Sequence, residues 1–189
     1  VSHEMRTPLY SMQGLLEQLL KTRRESAEEQ TLRTLVAATA TLYRHISDIL
    51  DFTQLEKGKY APARTRLELW TELEAAITLL EPLATQRQLY LDSLVEPGVP
   101  TTVLGDGKAF RTIVANLLAN AIRHAPQGGV VRCTLHAPEG RMLIEVADDG
   151  PGVPPQEREA IFERYQRGGQ YGGTGLGLAI VREIVHLHG

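Results

Sequence analysis

Two stripes of apolar residues at helical spacing, both within residues 1–57, constrain the fold more than any other feature. The first stripe comprises Met5, Leu9, Met12, Leu16 and Leu19. After the polar stretch KTRRESAEEQ, a second stripe runs from Leu32 to Thr53 at the same alternating steps of four and three. This spacing is typical of helices that pack as coiled coils. A hairpin of two such helices cannot enclose its own apolar faces, so the pattern predicts a homodimeric four-helix bundle.

The pattern changes after residues 58–64 (GKYAPAR), which are predicted to form a linker. Strand-like segments (LYLDSLV, VVRCTL and MLIEVAD) alternate there with helical stretches at about 70–86, 107–125 and 175–188. Turns rich in proline and glycine separate these segments. The predicted fold class is therefore multidomain. An α-helical hairpin over residues 1–60 is followed by an α/β two-layer sandwich over residues 65–189.

Composition narrows the possible functions. The 189 residues are 42% hydrophobic and 23% charged, with a net charge of -3. This profile is typical of a globular domain and argues against a nucleic-acid partner. No run of 18 apolar residues occurs, so we expect no direct membrane contact by this part of the protein. The chain begins without methionine, inside a helical pattern, and we expect it to be a portion of a larger protein.

His3 lies outside the first apolar stripe. It shares a helix face with Thr7, one turn away and opposite Met5, so both side chains are expected in solvent. A neutral imidazole can act as a nucleophile near pH 7, and the adjacent Glu4 could orient it or take its proton. From this stretch alone, a surface histidine without a role is the alternative interpretation.

The stretch NLLANAIRHA places Asn116 and Asn120 on one face of a predicted helix, with Arg123 and His124 just beyond. Helix interiors disfavour asparagine, so the pair suggests that the side-chain amides have a binding function, such as providing an oxygen ligand for Mg²⁺. Two polar residues on a solvated face remain the alternative.

The apolar segment MLIEVA leads into a turn with two carboxylates, Asp148 and Asp149, and two glycines, Gly150 and Gly152. Glycines let the backbone approach a flat ligand, and a carboxylate can accept a hydrogen bond from an exocyclic amine. A plain acidic turn is equally compatible with this segment.

In GGTGLGLAIVREIV, three glycines at positions 173, 175 and 177 precede and enter a predicted helix. Free backbone N–H groups at such a helix start can hold phosphates. No Gly-Lys-Ser/Thr follows, which excludes a Walker loop, and Leu178 replaces the last glycine of a dinucleotide fingerprint. The protein-kinase sequences VAIK and HRD are absent as well.

Taken together, these motifs strongly resemble the catalytic core of two-component sensor histidine kinases, and the SHEM variant at residues 2–5 resembles that of hybrid kinases. SHEMRTPL resembles the family's H-box, NLLANAIRHA its N-box, DDGPG its G1 box, IFERYQRG its F-box and GGTGLGLAIV its G2 box. ISDILDFTQLEKGK is similar to the end of the second bundle helix. The resemblance covers nearly the whole chain and implies a Bergerat-type ATP-binding fold after the bundle.

For the helical part, the resemblance implies that His3 accepts the γ-phosphoryl group of ATP, with Glu4 as the assisting base. Glu4 and Thr7 also match the family's phosphatase motif, in which the threonine orients water. The implied partners are a second copy through residues 1–57 and the receiver domain of a response regulator. The implied location is the cytoplasmic side of the bacterial inner membrane, in a membrane-anchored parent protein.

For the second part, the resemblance implies ATP and Mg²⁺ as cofactors. The implied ATP site consists of Asn116, Asn120, Arg123, His124, Asp148, Gly150, Gly152, Arg164, Tyr165, Arg167, Gly173, Thr174, Gly175, Leu176 and Gly177. Within it, Asn120 matches the Mg²⁺ ligand, Asn116 lines the phosphate side, and Asp148 matches the carboxylate that recognises the adenine amine. Phe162 and Tyr165 would seat a mobile lid.

The sequence departs from the family in several places, one of which is Tyr165 of the F-box, where phenylalanine is usual. The lid from Gly168 to Gly172 is short, and the chain stops at HLHG, where the family continues into further strands. We therefore expect either an exposed sheet edge or a parent protein with a different ending. The short lid keeps a rival open, namely a non-phosphorylating module that pairs with and regulates other kinases. A second rival, an ATPase of the chaperone, topoisomerase or mismatch-repair class, lacks an H-box hairpin in this order.

Overall fold

The computed structural model describes residues 12, 14, 16, 35, 39, 42, 46–50, 52–57, 60–166 and 175–188. The chain divides into two compact units, Val1–Lys59 and Tyr60–Gly189. Six residues of the predicted sites lie outside the described residues, as does the lid from Gly168 to Gly172. They are His3, Glu4, Thr7, Arg167, Gly173 and Thr174.

The described residues of the first unit are helical apart from Lys57, which lies in a turn. The hydroxyl groups of Thr39 and Thr53 donate to the carbonyl oxygens of Leu35 and Ile49, at 2.7 and 2.6 Å. Each bond spans one helical turn, a common way for threonine to satisfy its hydroxyl within a helix. These residues agree with the helical period read from the sequence.

In the second unit, helices and strands alternate. The strands are β1 (Thr65–Glu68), β2 (Tyr90–Val95), β3 (Thr102–Gly105), β4 (Val130–His136) and β5 (Leu143–Asp148), and the helices are α1 (Leu69–Gln86), α2 (Gly107–His124) and α3 (Gly177–His188). Short 3₁₀ turns occur at Pro138–Gly140, Pro155–Glu157 and Ala160–Phe162. The three long helices and the strands β2, β4 and β5 confirm the segments predicted from periodicity.

The strands form two sheets. β1 pairs antiparallel with β3, whereas β4 lies between β2, to which it is parallel, and β5, to which it is antiparallel. Among the described residues, β5 pairs with β4 alone, so one of its edges is open there. β1 and β3 were not predicted, because each has four residues and neither shows a clear alternation of apolar and polar side chains.

The core lies between the larger sheet and the helices. Val131, Cys133 and Leu135 alternate along β4 and are fully buried. They belong to one cluster with the apolar faces of α1 and α2, including Leu73 and Leu118. Cys133 thus serves as a buried apolar residue, and burial raises the pKa of its thiol to about 11. This arrangement confirms the predicted α/β two-layer architecture.

Residues 60–64, predicted to be a linker, are irregular in structure but attached to the second unit. The Tyr60 hydroxyl donates to Asp106 Oδ2 at 2.9 Å, and the backbone N–H of Ala63 donates to the same oxygen at 3.1 Å. The Tyr60 ring also lies 6.1 Å from the ring of His188 on α3. Three contacts therefore hold this segment against α2 and α3. None of the helices described here is both long and apolar enough to span a membrane.

Candidate functional site

Helix α2 carries the asparagine pair, and its ends are well anchored. At its start, Asp106 Oδ1 accepts a hydrogen bond from the backbone N–H of Ala109 at 3.0 Å, an N-cap that satisfies one free helix donor. Burial raises the pKa of this carboxyl, but hydrogen bonds from Ala109, Ala63 and Tyr60 outweigh that effect and leave the pKa below its ordinary value. The buried face of α2 packs into the core.

Asn116 and Asn120 have different surroundings, although both are half-buried. Asn116 Nδ2 donates to the carbonyl oxygen of Thr112 at 2.9 Å, and its Oδ1 lies against Gly177. A Cβ atom added at Gly177 would be only 2.6 Å from that oxygen. The side chain of Asn120, by contrast, has no hydrogen-bond partner in the described part of the chain. Its amide oxygen is available to a ligand.

The last turn of α2 is held by Arg87, the residue directly after α1. Arg87 Nη1 donates to the carbonyl oxygens of Ile122, at 2.9 Å, and Arg123, and Nη2 donates to that of Ala125 at 3.4 Å. Carbonyl groups at a helix end lack intrahelical partners, and a cation there also interacts favourably with the helix dipole. No sequence motif had indicated a role for Arg87.

His124 lies on this last turn, close to the end of β5. Burial lowers the pKa of its imidazole, and the positive charges of Arg123 and Arg87 lower it further. The carboxylate of Asp148 acts in the opposite direction, but the net pKa stays below the ordinary value of about 6.5. His124 is therefore a neutral imidazole near neutral pH.

The adjacent carboxylates Asp148 and Asp149 have different hydrogen-bond partners. Asp148 Oδ1 accepts a hydrogen bond from the backbone N–H of Gly150 at 2.8 Å. Asp149 Oδ2 accepts one from the backbone N–H of Val130 at 2.8 Å, which ties the turn to the start of β4. Asp149 thus links two strands, whereas Asp148 lies at the end of β5 near His124.

Gly150 and Gly152 shape this turn in different ways. A Cβ atom at Gly150 would be 2.4 Å from Asp148 Oδ1 and 2.9 Å from the carbonyl oxygen of His124, so no side chain fits there. Gly152 has open space around it but a φ of +70°, a backbone conformation that other residues rarely adopt. Both positions therefore require glycine, one for close packing and one for backbone conformation.

The F-box segment and the start of α3 meet through their backbones. The N–H of Tyr165 donates to the carbonyl oxygen of Gly175 at 2.9 Å. Both residues have positive φ, +61° and +67°, and a Cβ atom at Gly175 would be 2.7 Å from the Tyr165 backbone. The Tyr165 side chain is 67% exposed. This hydrogen bond joins the two ends of the segment that contains the lid.

A salt bridge reinforces the same junction. Arg182 Nη1 on α3 donates to Glu163 Oε1 at 2.7 Å, and this bond lowers the pKa of the Glu163 carboxyl. Phe162 is half-buried beside it, whereas Arg164 is exposed. The F-box is thereby attached to α3 at two points.

At the start of α3, Leu176 and Gly177 have opposite environments. The Leu176 side chain is 1% exposed, so any contact it makes with a nucleotide would come from its backbone. Gly177 begins the helix, whose first-turn N–H groups have no intrahelical acceptor. The free N–H groups and the Asn116 oxygen therefore lie at the same place.

Helix α2 therefore contacts both glycine-rich parts of the predicted ATP site. Asn116 contacts Gly177 in the middle of α2, while His124 contacts Gly150 and lies near Asp148 at its C-terminal end. An asparagine helix between two glycine-rich turns, on a two-layer α/β sandwich, is the arrangement that the sequence motifs predicted for an ATP-binding domain.

Comparison with known families gives the same class. Residues 105–189 match the family described as histidine kinase-, DNA gyrase B- and HSP90-like ATPase. Residues 1–58 match the His Kinase A (phospho-acceptor) domain. Two relatives match all or nearly all of the chain. The sensor histidine kinase AruS of Pseudomonas aeruginosa is 37% identical over 100% of this chain, and the histidine-protein kinase BarA of Escherichia coli is 30% identical over 98%.

Solved structures agree. ShkA, in a complex with AMPPNP, is 31% identical with a TM-score of 0.74 and covers 98% of this chain, which spans 39% of that one. The mycobacterial sensor histidine kinase MprB is 33% identical with a TM-score of 0.57, over 67% of this chain and 80% of that one. The chain belongs to the sensor histidine kinase family, as its motifs predicted. It spans 20% of the length of AruS and 21% of that of BarA.

Proposed function

We propose that this chain is the core of an ATP-dependent protein histidine kinase. In this proposal His3 accepts the γ-phosphoryl group of ATP and passes it to an aspartate of a response-regulator receiver domain. The observation that carries the proposal is the position of α2. Its middle lies against Gly177 and its C-terminal end against Gly150, so one helix serves both ends of a bound nucleotide.

The adenine end is assigned to Asp148. Its Oδ1 already accepts the N–H of Gly150, which orients the carboxylate and leaves Oδ2 to accept a hydrogen bond from the exocyclic amine. Because His124 is a neutral imidazole, it does not neutralise this carboxylate. Gly150 and Gly152 allow the base to approach the backbone of the turn.

The phosphate end is assigned to the start of α3. Its free N–H groups favour an anion, and Asn116 and Gly175 border the same region. Arg164 lies within the F-box, next to Tyr165, whose backbone N–H bonds Gly175, and can supply a positive charge for the phosphates. Arg167, Gly173 and Thr174 belong to the same proposed set by their place in the motif.

A Mg²⁺ ion fits the side chain of Asn120, whose amide oxygen has no partner among the described residues and is the type of ligand that Mg²⁺ accepts. When bound, the ion neutralises charge on the phosphate oxygens. The chain's own contribution is to hold that amide one turn from Asn116, on a helix fixed at both ends.

The transfer step forms a bond between an imidazole nitrogen of His3 and the γ-phosphorus, while the bond to the ADP oxygen breaks and ADP leaves. Glu4 accepts the proton released from the ring. Catalysis then depends mainly on positioning the γ-phosphate against His3, because phosphoryl transfer requires little covalent chemistry from the protein. In a phosphatase activity, which would switch the signal off, Glu4 and Thr7 would orient the water that dephosphorylates the response regulator.

We propose further that the first unit forms a homodimer. Leu35, Leu42 and Ile49 recur every seven residues and are 47%, 51% and 51% exposed in one chain. A second copy would cover this stripe, as in a four-helix bundle. We also infer that the parent protein is anchored in the bacterial inner membrane with this part in the cytoplasm, since its relatives are sensor kinases.

The proposal is tested by incubating the chain with Mg²⁺ and ATP that carries a radioactive γ-phosphate. Wild type should gain an acid-labile, base-stable label, and His3→Gln should gain none while binding ATP with unchanged affinity. Asn120→Ala should lose both the label and Mg²⁺-dependent ATP binding. A wild-type chain that binds ATP without any acid-labile label would favour the non-phosphorylating regulatory module, and label on His3→Gln would refute His3 as the acceptor.

A further inference from the structure

We propose that Arg87 is a positioning residue for the adenine end of the ATP site, acting through the last turn of α2. Arg87 belongs to none of the motifs that identify the family. The inference rests on the proposed assignment of Asp148 to the adenine amine and adds a residue far from it in sequence.

The first step is how Arg87 holds the helix end. Its planar guanidinium bonds three backbone carbonyls, those of Ile122, Arg123 and Ala125. Ala125 has already left the helix, with φ of -60° and ψ of 142°. One planar guanidinium group therefore holds both the end of α2 and the direction in which the chain leaves it.

The second step is how the helix end holds the turn. The carbonyl oxygen of His124 lies within this bonded turn and faces Gly150 so closely that a Cβ atom there would be 2.9 Å away. The N–H of Gly150 in turn orients Asp148 Oδ1 at 2.8 Å. A shift of the last turn of α2 would therefore be transmitted through Gly150 to the carboxylate.

The third step is charge. Arg87 lies close enough to His124 to help keep its imidazole neutral. A protonated His124 would pair with Asp148 and compete with the adenine amine for the carboxylate. Arg87 thus supports the site both by its hydrogen bonds and by its charge.

The experiment compares ATP with purine riboside triphosphate, which lacks the exocyclic amine, as ligands of the whole chain with Mg²⁺ present. The variants are Arg87→Gln, Arg87→Lys and the control Arg132→Gln, whose guanidinium pairs with Asp92 on neighbouring strands. Binding is measured at low temperature, where circular dichroism verifies that each variant is folded. The readout is the ratio of the two affinities, since loss of folded protein would lower both equally.

Wild type should prefer ATP by at least about tenfold, the effect of one hydrogen bond to a charged group. In Arg87→Gln, ATP affinity should fall about tenfold and affinity for the analogue less than about twofold. Arg87→Lys should show an intermediate loss, and Arg132→Gln none. If Arg87→Gln lost affinity equally for both ligands, or lost none, the positioning role of Arg87 would be overturned, while the assignment of Asp148 would stand. A wild type without preference for ATP would instead overturn the assignment of Asp148, and this inference with it.

Discussion

At the scale of single residues, the site depends on places where no side chain fits. Gly150 and Gly177 lie where an added Cβ atom would be 2.4 Å from Asp148 Oδ1 and 2.6 Å from Asn116 Oδ1, respectively. Cβ atoms in proteins essentially never lie so close to another heavy atom, so the side chain of Asp148 or Asn116 would have to move to admit one. Glycine is therefore found at these two positions because the side chains of Asp148 and Asn116 lie directly against the backbone there.

Gly177→Ala should destabilise the second unit and weaken ATP binding together, because Asn116 must move to admit the methyl group. Overpacking of this kind costs about 1–3 kcal/mol. Urea denaturation and ATP titration measure the two effects. Gly105→Ala is the matched control, since its Cβ atom would meet Leu67 at an ordinary 3.6 Å and should change neither quantity. Wild-type behaviour of Gly177→Ala would contradict the close approach.

His136 should make stability depend on pH. Its Nδ1 lies 2.9 Å from Glu96 Oε2 and its Nε2 3.2 Å from Glu145 Oε2. The hydrogen bond to Glu96 raises the pKa of the imidazole above its ordinary value of about 6.5, with the nearby Glu145 adding to the effect. A pKa raised on folding stabilises the protonated protein. The gain is fully present below pH 6.5 and is lost as pH rises through the folded-state pKa.

Melting temperatures of wild type and His136→Asn between pH 5 and 9 test this expectation. The difference in favour of wild type should be largest at the acidic end and should shrink as the pH rises. A difference that stayed constant over this range would show that protonation of His136 does not contribute.

At the scale of elements, α2 is the part of the fold on which the site depends, and both its ends are held by residues outside it. Asp106 caps its start and also binds Tyr60 and Ala63, while Arg87 holds its end. A helix fixed at both ends holds the backbone of Asn116 and Asn120 in place before a ligand binds, which lowers the entropy cost of binding. The start of the second unit and its nucleotide helix are thereby coupled through one carboxylate.

Asp106→Ala should lower the free energy of unfolding of the second unit by about 1–3 kcal/mol, because the helix loses its cap and two further donors lose their acceptor. Tyr60→Phe should cost less, about 0.5–1.5 kcal/mol, since one hydrogen bond is removed. Chemical denaturation of both variants and of the double variant measures the coupling. Strictly additive effects would show that Tyr60 and Asp106 do not interact.

At the scale of the whole molecule, the two units divide the proposed chemistry. The second unit has a closed core of its own, built from α1, α2 and the sheet. The described residues of the first unit leave Met12, Leu35, Leu42 and Ile49 about half exposed. An apolar stripe of this kind is typical of a surface that pairs with another helix.

The dimer proposal predicts a sedimentation mass of twice that of one chain at micromolar concentration. Leu42→Glu should raise the dissociation constant at least about a hundredfold, because a carboxylate in the stripe would lose its hydration. Leu104→Glu is the control, since Leu104 is 77% exposed on β3 of the second unit and should leave the mass unchanged. A monomeric wild type would contradict the bundle.

The extent of successful prediction follows from the range of the interactions involved. The sequence predicted six elements because the spacing of apolar residues within each segment reveals its type. They are the helices α1, α2 and α3 and the strands β2, β4 and β5. β1 and β3 are held by pairing with each other across 33 intervening residues, from Glu68 to Thr102, and carry too few residues to show a period. The linker prediction was correct about the irregular structure of residues 60–64 but missed their attachment to the second unit. The hydrogen bonds of Tyr60 and Ala63 to Asp106 join residues far apart in the sequence, so no local pattern indicates them.

The sequence by itself determined the order of the units, the family and the identity of most proposed site residues, because motifs depend on residue types at short spacing. Only the tertiary structure showed which groups Asp148 and Asp149 bind, gave Asn116 and Asn120 different surroundings, and brought Arg87 to the end of α2. Each of these depends on contacts between residues distant in the chain, such as Arg87 with Ile122 and Asp149 with Val130. Spacing along one segment carries no information about them.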